Sequence, residues 1–308
     1  VGVRLLAGVC AALAAAPMAP ASANNTCEGK PLAVQVLGSG GPELVGARAS
    51  SAYLIRIQGV PRVLVDIGGG AALRFGESGA RVADLDVILL THLHADHTAD
   101  LPALIKSSYF EDRKAPLPLF GPSGNKFAPG TVTFVRSLFD RTRGAYRYLS
   151  DFISPQNMGT YKLRPLDIEI KSREIVKAFG NERIRATAVP VRHGPMPALA
   201  WRVQVGDKAF AFSGDTDGNN GALERLAAGA EVLIAHHAIA EGAGGVERQL
   251  HMPPSTIGRI AQAAGVKRLV LSHRMQRTLG HESESLQAIR KHYAGPVEFA
   301  DDLACYEP

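Results

Sequence analysis

The sequence predicts a layered α/β fold, with two sheets packed together and helices outside. Three observations carry that expectation. Short apolar, strand-like runs recur in both halves of the chain. Helix-like segments intervene between them, which favours sheets covered by helices over an all-β barrel. The chemically suggestive polar clusters fall just after strands, where loops gather at one edge of a layered fold.

The first segment is expected to be a leader rather than fold. Val1 to Arg4 carries one positive charge, Leu5 to Ala16 is apolar, and Pro17, Pro20 and Ala21-Ser22-Ala23 follow. This is a secretory signal pattern with cleavage expected after Ala23, leaving 24–308 as the mature chain and a periplasmic or secreted location. The apolar run is too short for a stable bilayer span, so no stable membrane insertion is expected after cleavage. An uncleaved anchor is the alternative. A lipoprotein is disfavoured because Val9, not a small residue, precedes Cys10.

Strands are then expected at Leu32–Leu37, Ser51–Gln58, Arg62–Ile67 and Val87–Leu90. The last runs directly into Thr91-His92-Leu93-His94-Ala95-Asp96-His97. A helix is expected over Thr98–Ser108 and a strand over Leu117–Phe120. The segment Thr131–Lys177 shows no clear period. Strands return at Ile184–Pro190, Ala198–Val205, Ala209–Phe212, Val232–Ala235 and Arg268–Leu271. Helices are expected at Pro254–Ala264 and Glu282–His292.

Composition bounds the function only loosely. The chain has 308 residues, a formal charge of +5 and 20% charged residues, which is ordinary for a globular protein. The densest basic stretch holds Arg136, Arg141, Arg143 and Arg147. It reads as a solvated face more readily than as a polyanion site. With Tyr146 and Tyr148 it could also form a lid over an anionic or aromatic group, although a packed surface hairpin is the plainer account. Of three cysteines, Cys10 leaves with the leader. Cys27 and Cys305 remain near the two ends, where an oxidising compartment makes a disulfide a hypothesis and two free thiols its alternative.

The chemistry concentrates in His92-x-His94-x-Asp96-His97, four metal-capable side chains within six residues. Alternate residues of an extended segment point the same way, so His92 and His94 can share one ion while Asp96 and His97 face another. A lone HxH is weak evidence, but the full cluster after a buried strand is strong.

These residues resemble the metallo-β-lactamase superfamily. Asp66-Ile67-Gly68-Gly69 is similar to the turn that precedes the metal motif in that family. His193 in Val191-Arg192-His193-Gly194, Asp215 in Ser213-Gly214-Asp215-Thr216 and His273 in Leu271-Ser272-His273 are similar to its remaining ligands. The resemblance implies a four-layer αββα sandwich over residues 24–308. It assigns His92, His94 and His193 to one ion and Asp96, His97 and His273 to a second, with Asp215 bridging. Two Zn2+ per chain are expected from the N/O donor set, with Mn2+ or Fe2+ as alternatives. Two close cations would activate a shared water to hydroxide, with Asp96 orienting it and accepting its proton.

Within that superfamily the sequence resembles the ribonuclease Z-like branch, which includes phosphodiesterases and arylsulfatase-like enzymes. Gly38-Ser39-Gly40-Gly41-Pro42, Phe120-Gly121-Pro122 and Phe212-Ser213-Gly214-Asp215-Thr216 carry this resemblance. His251 matches the branch's proton donor. His237, in His236-His237-Ala238-Ile239, replaces the glutamate that orients that donor. An imidazole does not keep His251 protonated as a carboxylate would, so the leaving group needs less help or another partner acts. The expected substrate is a small anionic ester, a phosphodiester or aryl sulfate. tRNA is not expected, because export separates the enzyme from it and no long arm is evident. A carbonyl substrate, as for a β-lactamase or lactonase, is the alternative within hydrolases. A catalytically inactive metal-dependent binding protein and a nucleic-acid binder are the alternatives outside them. No organic cofactor is indicated, and a homodimer is one open assembly state.

Overall fold

The structure, a computed structural model, describes residues 27–156, 161–171 and 173–308, together with Gly2. The expected leader, residues 1–23, therefore lies outside the described residues apart from Gly2. Among the described residues no helix is long and apolar enough to cross a membrane.

In chain order the strands are β1 (Leu32–Gly38), β2 (Ala52–Ile57), β3 (Val60–Val65), β4 (Val87–Leu89), β5 (Leu117–Pro122), β6 (Leu163–Ile168) and β7 (Val176–Gly180). They continue as β8 (Ile184–His193), β9 (Met196–Val205), β10 (Lys208–Phe212), β11 (Val232–His236), β12 (Arg268–Ser272), β13 (Val297–Phe299) and β14 (Cys305–Tyr306). They form two seven-stranded sheets, ordered β14-β1-β2-β3-β4-β5-β6 and β13-β12-β11-β10-β9-β8-β7. Each sheet opens with antiparallel pairs and then turns parallel, at β3–β4 in the first and β10–β11 in the second.

Alternation along the strands decides the layers. Val34, Tyr53, Ile55, Val63, Val65, Val87 and Leu89 point inward against Trp201, Phe210, Phe212, Ile234 and Val270 of the other sheet. Their neighbours Leu54, Leu64, Ile88 and Leu90 point outward, under α1 (Ala71–Glu77), α3 (Leu101–Ser107) and α4 (Thr131–Phe139). On the far side Leu233, Ala235, Leu269 and Leu271 lie under α5 (Ala222–Leu226), α7 (Pro254–Ala264) and α8 (Glu282–Arg290), with the short α6 (Gly245–Leu250) leading into His251. Burial on both faces explains why these strands read as nearly continuous apolar runs. The result is the four-layer αββα sandwich the resemblance implied.

The expected helix over Thr98–Ser108 is two pieces, α2 (Ala95–Thr98) and α3. The break falls at Asp100, because Pro102 belongs in the first turn of a new helix. The Asp100 carboxylate accepts the backbone N–H of Ala72 and ties that break to α1. α1 itself was not expected. It is only seven residues long, contains Gly76 and follows three glycines. Pro254–Ala264 was read correctly, with proline at its start and left-handed Gly265 at its end. The segment without a clear period contains α4, whose buried Val135 and Phe139 are one turn apart, then a 3-10 turn over Arg147–Phe152 and strand β6.

Cys27 and Cys305 form a disulfide, with Cα atoms 5.5 Å apart. It closes the two ends of the described chain onto each other beside the β14–β1 pair.

Candidate metal centre

The seven residues singled out as ligands come together at the ends of β4, β8, β10 and β12. Each arrives from the residues that follow, or end, an apolar strand. Their positions are fixed by a set of buried hydrogen bonds. Asp66 follows β3 with a left-handed φ of 57°. Its carboxylate accepts from the Thr91 backbone N–H at 2.7 Å, the Thr91 hydroxyl at 2.8 Å and the His97 Nδ1–H at 2.8 Å. One carboxylate thus pins both ends of the HxHxDH loop and turns His97 Nε2 toward the cluster. His193 Nδ1–H donates to the Leu250 carbonyl at 2.9 Å, which turns its Nε2 the same way. Gly68 lies directly against the Asp96 carbonyl, where a side chain would collide with it.

Two overlapping groups result, each with its donor atoms within 4.8 Å of one another. The first is His92, His94, His193 and Asp215, the set expected for one ion. His92 Nε2 and His94 Nδ1 are 3.0 Å apart, and Asp215 Oδ2 is 3.5 Å from His193 Nε2. The second is His97, Asp215, His236 and His273. Asp96 joins it through Oδ2, which is 3.1 Å from His273 Nε2 and 3.5 Å from His97 Nε2. Asp215 belongs to both groups, as a bridging ligand must.

His236 is a finding the sequence reading missed as a site residue. Its Nδ1–H donates to Asp215 Oδ1 at 2.7 Å, and its Nε2 lies 3.0 Å from the hydroxyl of fully buried Tyr53. That hydroxyl also lies 2.9 Å from Ser272 Oγ, and its single proton serves one of the two. The only signal was the His236-His237 doublet, and attention to its second member obscured the first.

The electrostatics suit a cation. Burial pushes His92 well down, with nearby His97 adding to the effect, and burial likewise lowers His94 next to His193. Both therefore present neutral imidazoles. For Asp96, burial favours the neutral acid, but His97 and His273 outweigh it and hold the carboxyl below its usual range. Asp215 is held low in the same way, by His273 and His236 against burial. Burial opposes charge on His97, yet Asp66 and Asp96 raise it well above the usual histidine value. His97 Nε2 is buried and has no hydrogen-bond partner among the described residues, while two carboxylates lie 3.5 and 3.8 Å away. A divalent cation fits such an atom, since a metal would take the lone pair that no proton donor takes.

His237, which stands where the branch has its orienting glutamate, was expected among the catalytic residues, and the structure turns it away from the site. His237 Nε2 meets Ser285 Oγ at 2.9 Å, and its ring lies against Phe299. It faces α8 rather than the cluster, because successive residues at the end of β11 point to opposite faces and His236 takes the inward one. His251 does reach the site. Its ring is beside those of His193 and His273, and its Nδ1 is 3.9 Å from Asp215 Oδ2. The carboxylate nearest His251 is thus Asp215. Burial pushes His251 down to about 3, against the pull of that carboxylate.

The cluster opens into a cleft of about 430 Å³. Pro42, Ala95, Leu250 and Met275 give it apolar walls, and Arg277 contributes a guanidinium. That guanidinium is fixed by the Ala238 carbonyl and Glu247.

Comparison with known proteins agrees with this geometry. A beta-lactamase superfamily domain profile matches residues 62–274. A ribonuclease Z from Mycobacterium sp. (strain KMS) is 30% identical over 285 residues, covering 88% of this chain and 94% of that protein. Among solved structures, the metallo-beta-lactamase fold protein YhfI from Bacillus subtilis superposes with a TM-score of 0.69 at 20% identity, covering 90% of this chain and 99% of that one. The short form of human tRNase Z gives 0.67 at 21% identity, covering 89% and 98%.

Proposed function

The chain belongs to the metallo-β-lactamase superfamily, and on that premise we propose that it is an exported, dinuclear metal-dependent hydrolase of a phosphodiester or aryl sulfate ester. The observation that carries this reading is the pair of donor groups sharing Asp215. His92, His94 and His193 would hold one ion, and Asp96, His97 and His273 the other, with zinc best suited to the donors and manganese or iron as alternatives. Bound there, two divalent cations would lower the pKa of a water toward neutrality and stabilise negative charge on the attacked centre.

The chain's own groups divide the remaining work. Asp96, held as a carboxylate between His97 and His273, orients the attacking water and accepts its proton. The water oxygen bonds to phosphorus or sulfur, and the ester oxygen departs with its bonding pair. Arg277 faces the anionic head from the cleft wall. His251 stands where it can donate an N–H to the departing oxygen. Without a dedicated carboxylate at position 237, the site suits an ester whose leaving group departs with little protonation, such as an aryl oxide.

Export is supported by the leader pattern of residues 1–23 and by the Cys27–Cys305 disulfide, a bond that persists in oxidising compartments. A second reading, cleavage of a phosphodiester in RNA, is favoured by the ribonuclease Z relatives. The test is a panel of bis-p-nitrophenyl phosphate, p-nitrophenyl sulfate, nitrocefin and a precursor tRNA. Chelator-sensitive turnover of either of the first two supports the proposal. Turnover confined to nitrocefin or to tRNA overturns its substrate class, and a metal-loaded protein inert on all four favours a binding protein.

A further inference from the structure

A second groove, of about 470 Å³, lies against the face of α3 that leads away from the metal cluster. Ala99, Pro102 and Ala103 form its floor, Tyr146 and Tyr148 its wall, and Lys106 its far end. It adjoins the metal cleft directly. Ala95 lines the cleft, Ala99 lines the groove, and the Ala99 N–H bonds to the Ala95 carbonyl at 2.8 Å. One helical turn, about 5.4 Å, therefore separates these two lining residues.

The lining is unusual for a surface segment. Tyr148 is 65% exposed and Tyr146 39%, with ring centroids 6.4 Å apart at 71°. Neither ring is turned into the core, yet their loop is pinned to α4 by the Tyr146 N–H on the Leu138 carbonyl. The Lys106 ammonium sits 4.6 Å from the Tyr109 ring centroid and 5.0 Å from that of Phe110. Among the described residues Lys106, Arg141, Arg143 and Arg147 form no ion pair. A small-residue floor, two ordered aromatic rings and the Lys106 ammonium at one end together match a planar aromatic group joined to an anion.

We propose that this groove is a subsite for the aryl arm of the anionic ester hydrolysed at the adjoining metal centre. The assignment rests on the hydrolase reading above, and it narrows the substrate class to aryl esters. Tyr146 and Tyr148 flank the aryl ring, edge or face on, and the alanine floor lets it lie flat. Lys106 favours negative charge on or beyond the ring. The tyrosines bind the arm and take no part in bond breaking.

The experiment compares phenyl phosphate with methyl phosphate as ligands of the metal-loaded full chain, measured by calorimetric titration. One or two aromatic contacts give the phenyl compound about tenfold tighter binding. In Tyr146→Ala/Tyr148→Ala the phenyl-over-methyl ratio falls to about one, and Tyr148→Phe keeps the wild-type ratio. If the double variant fails to fold, the single change Tyr148→Ala, at the more exposed ring, reads the same ratio. A wild-type ratio of one, or a preference that survives the alanine changes, overturns the subsite while leaving the hydrolase reading intact. Binding of neither phosphate overturns the subsite, and it overturns the hydrolase reading too only where chelator-sensitive turnover of bis-p-nitrophenyl phosphate and p-nitrophenyl sulfate is also absent.

Discussion

Removing the Cys27–Cys305 disulfide should cost this protein several kcal/mol without altering its fold. The bond joins residues 278 positions apart. A cross-link of that span lowers the entropy of the unfolded chain by an amount worth about 5.6 kcal/mol at 25 °C in the chain-entropy treatment. Measured costs for native disulfides run from about 2 to 5 kcal/mol, so about 4 is expected here. The native geometry should survive, because the two ends are already held by other bonds. The β14–β1 pairing joins Gln35 to Cys305, and the Val36 N–H donates to the Ala304 carbonyl at 2.8 Å. The assay is urea unfolding of Cys27→Ser/Cys305→Ser against wild type, with and without reductant. At roughly 2–4 °C per kcal/mol, the double variant should also melt about 10 °C lower. Reductant should lower wild-type stability to the level of the variant and leave the variant unchanged. An unchanged midpoint, or two free thiols in the native protein, would refute the reasoning.

Other consequences follow from single contacts. Tyr53→Phe removes the hydroxyl that fixes His236 behind Asp215, and it should weaken metal binding about 10–100-fold while the fold persists; equal affinity by competitive chelator titration would contradict this. Gly68→Ala should displace the Asp96 loop, because the added methyl lands on the Asp96 carbonyl and 2.6 Å from Ser50 Cβ; the expected result is loss of bound metal or of soluble protein, and a normally loaded variant would count against the loop's role. His237 supplies a pH effect away from the cluster: burial, with the Arg274 charge adding to it, pushes its pKa down to about 4. In the unfolded chain it titrates near 6.5, so as pH falls from about 6.5 to 4 the unfolded state alone takes up the proton and stability drops, by on the order of 3 kcal/mol from this residue. His237→Gln should flatten that limb of the stability–pH curve, and an unchanged slope would mean that other groups dominate it.

Much of the candidate site was legible because its His and Asp residues fall in short motifs at the ends of apolar strands. Thr91 to His97 follows a buried strand whose continuous apolar run is visible in the sequence, and the glycines Gly68 and Gly214 mark turns packed against it. The ten inner strands were read within a few residues because burial on both faces leaves a strong signal, whereas the edge strands β6, β7, β13 and β14 were not. What failed was orientation. Nothing in His236-His237 says which imidazole points inward, since that depends on the register of β11 against β12. Asp66 was read as part of a turn, but its role as the clamp of Thr91 and His97 emerges only when β3 and β4 lie side by side. The Thr131–Lys177 segment resisted for a similar reason. Its helix α4 is only nine residues long and is followed by a 3-10 turn and the edge strands β6 and β7, so no long run of one period marks the segment.

The most direct test of the central claim is the metal content of the purified protein, measured alongside bis-p-nitrophenyl phosphate and p-nitrophenyl sulfate turnover before and after chelation. Close to two divalent ions per chain, with turnover lost on chelation and restored by zinc or manganese, is the predicted result. A folded chain that binds no divalent ion under any loading condition would contradict it, and the His/Asp cluster would then need another explanation.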